Sequence, residues 1–388
     1  MKKSRRSFLG KLGVGLATTL GLAYKGLADE SLKETPINND IMKHKDSPQE
    51  HPIIKIKPLG FQWETADPFL FCVHHDDKFP KGNDQMGPDP ALLKGRAIGQ
   101  DFILKDGWRM YHGETVPGFP GHPHRGFETI TVVRKGMVDH ADSLGGSGRY
   151  GDGDIQWMTA GKGIQHSEMF PLIHKDKENH MELFQIWLNL PQKNKMVDAH
   201  YKMLWGDTIP NYEHQDTNGK QTQVEVMAGT LGEYKAPAPP PNSWAADAAN
   251  EVAIWNIRIE ANGTWTIPKA GKGINRTLYF YEGNDLELQG TTIAPYHAIE
   301  VHSDQDLELK VGATEAKILL LQGKPINEPV VQHGPFVMNT RQEIQQAFAD
   351  YQQTRFGGWP WPKYDQVHDR NLGRFAKHAD GREEIMKG

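Results

Sequence analysis

The chain has 388 residues, with 44 basic and 49 acidic side chains, 40 glycines, 25 prolines and one cysteine. That length admits two domains or one large β-rich unit, and so much glycine and proline favours short strands and turns over long helices. The acidic excess leaves no basic stripe to hold nucleic acid phosphates, and a lone cysteine excludes an internal disulfide framework.

Residues 1–28 read as an export signal, to be set aside before any fold reasoning. A basic start, Met1-Lys2-Lys3-Ser4-Arg5-Arg6-Ser7-Phe8-Leu9, precedes a glycine-interrupted apolar run from Leu12 to Tyr24. Gly26-Leu27-Ala28 then supplies the small residues a signal peptidase needs. The order Arg-Arg-x-Phe-Leu resembles a twin-arginine signal, a route that exports folded proteins. The apolar run is too short for a comfortable span, so no stable membrane insertion is expected after cleavage. The mature chain would start at Asp29, carry 38 basic against 49 acidic residues, and lie in the periplasm or otherwise outside the cytoplasm. Residues 29–58, polar and holding Pro36, Pro48 and Pro52, read as a flexible lead-in.

Strand patterns begin near Phe61. Phe69 to Val73 is apolar and makes Cys72 a core residue. His74-His75-Asp76-Asp77 follows, and because adjacent strand residues face opposite ways, the two histidines cannot converge; a solvated turn is expected there. Phe127 to Val133 is rich in β-branched residues and ends before Gly136. Five glycines between Ser143 and Gly153 require a sharply turned loop. Asp154 to Met158 and the mostly apolar Glu182 to Leu190 read as further strands. A second β-rich block runs from about Val224 to Gly323, long enough for an internally duplicated barrel. It is interrupted by Glu233 to Asn250, which includes Ala236-Pro237-Ala238-Pro239-Pro240-Pro241 and reads as an inserted surface loop. One helix is expected: Thr340 and Glu343 form a capping box, and Ile344, Ala347, Phe348 and Tyr351 make an apolar stripe. Gly357-Gly358-Trp359-Pro360 stops it, and the tail from 363 reads as polar and loosely held.

The chemistry is concentrated between Pro117 and Glu168. His122-Pro123-His124 and His166-Ser167-Glu168 each place two donors at i and i+2, the spacing that puts both on one face of a strand. Two such strands side by side would aim three imidazoles and one carboxylate at a single point. That set suits iron, manganese, nickel, copper or zinc and leaves coordination positions open for a ligand. Pro123 biases the strand toward extended geometry and removes a ladder amide, which places it at an edge or a bulge. Glu128 competes with Glu168 as the carboxylate, since it follows His124 at even spacing. Trp157, Met158 and Trp187 are candidate apolar walls for a flat aromatic ligand.

Gly118-Phe119-Pro120-Gly121-His122-Pro123-His124-Arg125-Gly126-Phe127-Glu128-Thr129 resembles a signature segment of the pirin family. So do Gly153 to Met169, around His166-Ser167-Glu168, and Asn327 to Asn339; together the likeness spans roughly residues 59–355. It implies an all-β fold of tandem cupin β-barrels, a bicupin, with the C-terminal helix added. The barrels would occupy 59–198, metal-binding, and 199–330, metal-free because His297 and His302 are five apart; the helix and tail fill 331–388. It also implies a metal, usually iron(II), held by His122, His124, His166 and Glu168, with Glu128 left as a pocket group or as a group that supports the ligands from behind. The activity implied is that of a quercetin 2,3-dioxygenase, with a small phenolic substrate and dioxygen as partners and Glu168 as the proton acceptor. A non-catalytic, metal-dependent binding or redox-sensing protein is the other role the resemblance carries.

Overall fold

A computed structural model describes residues 51–386. The expected signal and residues 29–50 of the lead-in lie outside these described residues. Among the described residues the architecture is two β-barrels in tandem, each made of two antiparallel sheets, with one α-helix.

The first barrel is built from ten strands. Its strands are β2 (Gln62–Trp63), β3 (Phe69–Phe79), β4 (Gly118–His124), β5 (Phe127–Lys135), β6 (Met137–Asp142), β7 (Ser147–Gly151), β8 (Ile155–Thr159), β9 (Ile164–Met169), β10 (Asn179–Asn189) and β11 (His200–Leu204). One sheet runs β11-β8-β5-β10-β3-β2; the facing sheet contains β7-β6-β9-β4 in that order. Alternation along β5 explains why its sequence is apolar on both sides. Phe127 and Val133 face into the barrel, while Ile130 and Val132 join a second apolar layer shared with Ile254, Tyr279 and Leu321 of the other barrel. A sheet covered on both faces needs no polar side. The second barrel encloses its own core around Trp255, Leu278, Phe280, Ile318 and Leu320.

Several expectations change. β1 (Ile53–Pro58), assigned to the flexible lead-in, is a strand paired with His297–His302 of the second barrel. Its Ile53 and Ile56 pack on that barrel's core, which offsets the cost of ordering the segment. β11 pairs with β8, so the first barrel continues past residue 198. His74 and His75 lie inside the eleven-residue β3 and not in a solvated turn. His75 is buried because partners exist for it: its Nδ1 lies 2.8 Å from the Tyr111 hydroxyl, which donates to Asp77.

The helix spans Arg341–Thr354 and carries the expected capping box: Glu343 N donates to Thr340 Oγ1 at 3.2 Å, and Thr340 N to Glu343 Oε2 at 2.8 Å. Ile344 and Ala347 pack on the hairpin of Val331–His333 and Phe336–Met338. The tail is not loose. Phe375–Lys377 adds a strand to β7, and Trp361 Nε1 donates to Asp142 O at 2.7 Å. The cause is Arg149, a guanidinium only 2% exposed. Asp139 takes one side of it at 2.6 and 2.8 Å, and the carbonyls of His368, Asp369 and Leu372 supply the acceptors the rest requires.

Candidate metal centre

β4 and β9 pair antiparallel with His122 opposite His166. β4 is the outermost strand of its sheet, where Pro123 forfeits no ladder bond. A register shift between Phe119 and His122 bends the strand just before the histidines, the way a bulge re-aims side chains. The ring centroids of His122, His124 and His166 are then 4.7, 4.5 and 4.9 Å apart in pairs. One nitrogen from each ring lies within 4.8 Å of the other two. All three rings are buried, and burial holds each pKa below the ordinary histidine value, His122 at about 4. They are therefore neutral at pH 7, with ring lone pairs free to donate.

The donor set fits a transition metal on a further ground. Nδ1 of His124 and both nitrogens of His166 are buried with no hydrogen-bond partner among the described residues. Orphaned buried nitrogens cost free energy that a bound cation would recover. A further contact fixes one ring. His122 Nδ1 is 3.0 Å from the Pro120 carbonyl, which assigns its proton there and leaves Nε2 as the lone pair.

Glu168 is adjacent but outside this triad. Its Oε2 is 3.8 Å from His166 Nε2. Both oxygens accept bonds from the barrel interior: Thr131 Oγ1 at 2.7 Å and the Tyr150 hydroxyl at 3.4 Å to Oε1, Gln185 Nε2 at 2.8 Å to Oε2. Thr131 Oγ1 is also 2.7 Å from Gln185 Oε1, and one hydroxyl proton serves only one of these two oxygens. A proton on Glu168 would serve the other, and burial does raise its pKa. A cation beside the carboxylate acts in the opposite direction.

Glu128 is not a pocket group. The turn at Arg125-Gly126, where φ of Gly126 is +86°, moves the chain from one sheet to the other, so even spacing no longer means a shared face. Its carboxyl meets Thr159 Oγ1 and Ser243 Oγ, each at 2.5 Å, and its burial raises the pKa to about 7. Ser243 belongs to the proline-rich insertion, which this contact ties to the first barrel. Of the three proposed walls, Trp187 alone flanks the histidines, its ring 5.5 Å from that of His124. Trp157 points into the layer between the barrels, and Met158 packs with Ala160 and Ile164. Phe119 and Phe127 stand 6.4 Å from His122 and 5.1 Å from His124. In the second barrel His297 and His302 occupy the two ends of one strand.

A supporting layer escaped sequence reasoning. The Lys195 ammonium, buried with its pKa down at about 8, donates to Gly126 O at 2.8 Å, Asn189 Oδ1 at 2.7 Å and Val337 O at 3.2 Å, clamping the turn after His124. Arg125 Nη1 pairs with Asp350 of the helix at 2.7 Å. His140 lies opposite Glu168 on β6, its ring 5.7 Å from His166.

Among known proteins, the family model described as Pirin matches residues 55–188, and the Pirin C-terminal cupin domain matches 254–357. A Pseudomonas aeruginosa protein described as a candidate quercetin 2,3-dioxygenase is 39% identical over 270 residues, covering 68% of this chain and 87% of that one. A pirin-like protein of Caulobacter vibrioides is 38% identical over 239 residues, 62% of this chain and 80% of its own. The crystal structure of a quercetin 2,3-dioxygenase from Acinetobacter baumannii superposes with a TM-score of 0.61 at 24% identity, covering 79% of this chain and 98% of that one, and supports the fold alone.

Proposed function

The chain belongs to the pirin family, and from that premise we propose that it is a metal-dependent dioxygenase acting on a phenolic, flavonol-like compound. The observation that carries this reading is the buried triad His122, His124 and His166, neutral at pH 7, with a carboxylate at its side and aromatic rings around it.

In this account the three imidazoles hold one divalent ion and Glu168 is the fourth donor. Iron(II) is the ion the family resemblance favours, with manganese, nickel, copper and zinc sharing the donor preference. When bound, iron(II) would supply Lewis acidity toward a phenol oxygen and redox capacity toward dioxygen, the second of which zinc would lack. The protein does the rest. Phe119, Phe127 and Trp187 give a flat ligand apolar surface and keep water from the reacting ring. Glu168 takes the phenolic proton, and the donors Thr131, Tyr150 and Gln185 hold its carboxyl in place to receive it. A second reading, a non-catalytic metal-dependent binding or redox-sensing protein, draws on that same detail, since a carboxyl occupied by three donors is a less mobile base. We also infer export through residues 1–28, on the order of basic, apolar and small residues there.

The test is Glu168→Gln. The amide keeps an oxygen for the ion but accepts protons poorly, so turnover of a flavonol should fall about 10²–10⁴-fold. Metal affinity should fall no more than about 10–100-fold. A variant that retains full turnover per bound metal would remove Glu168 from proton transfer.

A further inference from the structure

We propose that the end of the second barrel binds a small oxyanion, a phosphate or carboxylate group, between Arg276 and Lys272. A cavity of about 600 Å³ opens there, lined by Lys272, Arg276, Thr277 and Ser303 and also by the acidic Glu300 and Asp304, among others. Arg276 holds an inward-facing position, on the same strand face as Leu278 and Phe280 of the barrel core, in the strand Asn275–Glu282. It is 3% exposed.

So deeply placed a guanidinium ordinarily has its five donors matched. Here Nε donates to Gln322 Oε1 at 2.7 Å, and Nη1 is buried with no hydrogen-bond partner among the described residues. The neighbouring carboxylates do not fill the gap. Glu251 and Asp306 are near enough to favour the charge, yet Glu251 Oε2 accepts from Gly271 N at 2.9 Å and Asp306 Oδ1 from Lys269 N at 2.8 Å. Glu300, on the cavity rim, is engaged by Lys57 at 3.2 Å. Burial brings the Arg276 pKa down to about 10, which leaves it cationic at pH 7.

The surroundings are organised to present that charge. Ser303 Oγ lies 3.0 Å from Gly271 O and 2.8 Å from Ile274 O, and Ala270 N donates to Ser303 O at 2.6 Å, so the loop carrying Lys272 is fixed at both ends. An oxyanion would meet a preset guanidinium edge, whose fork suits two oxygens, and an ammonium at the rim. A neutral water would satisfy Nη1 as well, but only an anion would also pair with the ammonium of Lys272 at the rim.

The test is isothermal titration calorimetry of the full, metal-loaded chain with inorganic phosphate and with acetate, against chloride at matched ionic strength. Saturable one-to-one binding is expected. Arg276→Gln should weaken it about 10–100-fold, as loss of a charged hydrogen bond does. Lys272→Gln, at the exposed rim, should weaken it about two- to fivefold. Neither change should alter metal content. Because Arg276→Gln alters a buried position and can fail to fold, the Nε–H resonance of Arg276 in the wild type is followed in the same titrations, and a saturable shift is expected. Binding of phosphate alone identifies a phosphoryl group as the source, and equal binding of acetate identifies a carboxylate. No heat and no shift up to about 10 mM of either anion would overturn the proposal. So would binding that survives Arg276→Gln and disappears in His124→Ala, which would put the anion on the metal centre.

Discussion

Gly163→Ala isolates how the C-terminal segment holds the metal strand. Gly163 directly precedes β9, three residues before His166, and has φ of +134°. A backbone there is open to glycine and costs any other residue about 1–3 kcal/mol. An added Cβ would also sit 2.6 to 2.7 Å from three ring atoms of Phe356. Overpacking of that kind costs about 1–3 kcal/mol, so the substitution should destabilise by about 2–6 kcal/mol in total. The two contributions separate in a double-mutant cycle. Phe356, 7% exposed, should cost about 3–5 kcal/mol when cut to Ala, for the cavity it leaves. The double variant should be less damaged than the sum by about 1–3 kcal/mol, because without the ring the clash is gone while the backbone strain stays. Urea unfolding with metal removed is the assay, since bound metal would add its own stabilisation. A Gly163→Ala cost below about 0.5 kcal/mol, or additivity within that margin, would show that Phe356 does not press on this glycine.

Two further outcomes are expected. Glu128 has a folded-state pKa of about 7 against an ordinary 4.5, so the folded chain binds the extra proton between those values. Its contribution is present in full below pH 4.5 and lost as pH rises through 7, a change of about 3 kcal/mol. Glu128→Gln removes that slope; the unfolding free energy of wild type relative to variant should therefore drop by about this amount from pH 4.5 to pH 8, and an unchanged difference would show that the carboxyl is not held neutral. Arg5→Lys combined with Arg6→Lys should block export of the chain in fractionated cells, and unchanged export would point to another route.

The convergence of His122, His124 and His166 was legible because its geometry is local. Two donors at i and i+2 share a face on any strand, and Pro123 announces an edge, which β4 is. Glu128 shows where that logic stops: the same even spacing fails once Gly126 turns the chain into another sheet. The groups that hold Glu168 were invisible for a related reason. Thr131 and Gln185 are direct cross-strand partners, 54 residues apart, and nothing in either segment specifies that register alone. The tail was misread because its own composition is polar. What orders it is the need of buried Arg149 for carbonyl acceptors, a demand written in the first barrel and met about 220 residues later. The helix, by contrast, carries its cap and stripe within fifteen residues and was found where its sequence put it.

We propose that the His122, His124 and His166 centre makes this chain an oxygenase. The direct measurement is oxygen uptake by iron(II)-loaded wild type with a flavonol, beside metal-stripped protein and His124→Ala. The account predicts uptake matching flavonol loss, proportional to bound metal and absent in the other two samples. If the loaded protein, with metal bound at one per chain, consumes no oxygen with any flavonol or catechol, the oxygenase reading is contradicted and the metal serves binding or sensing.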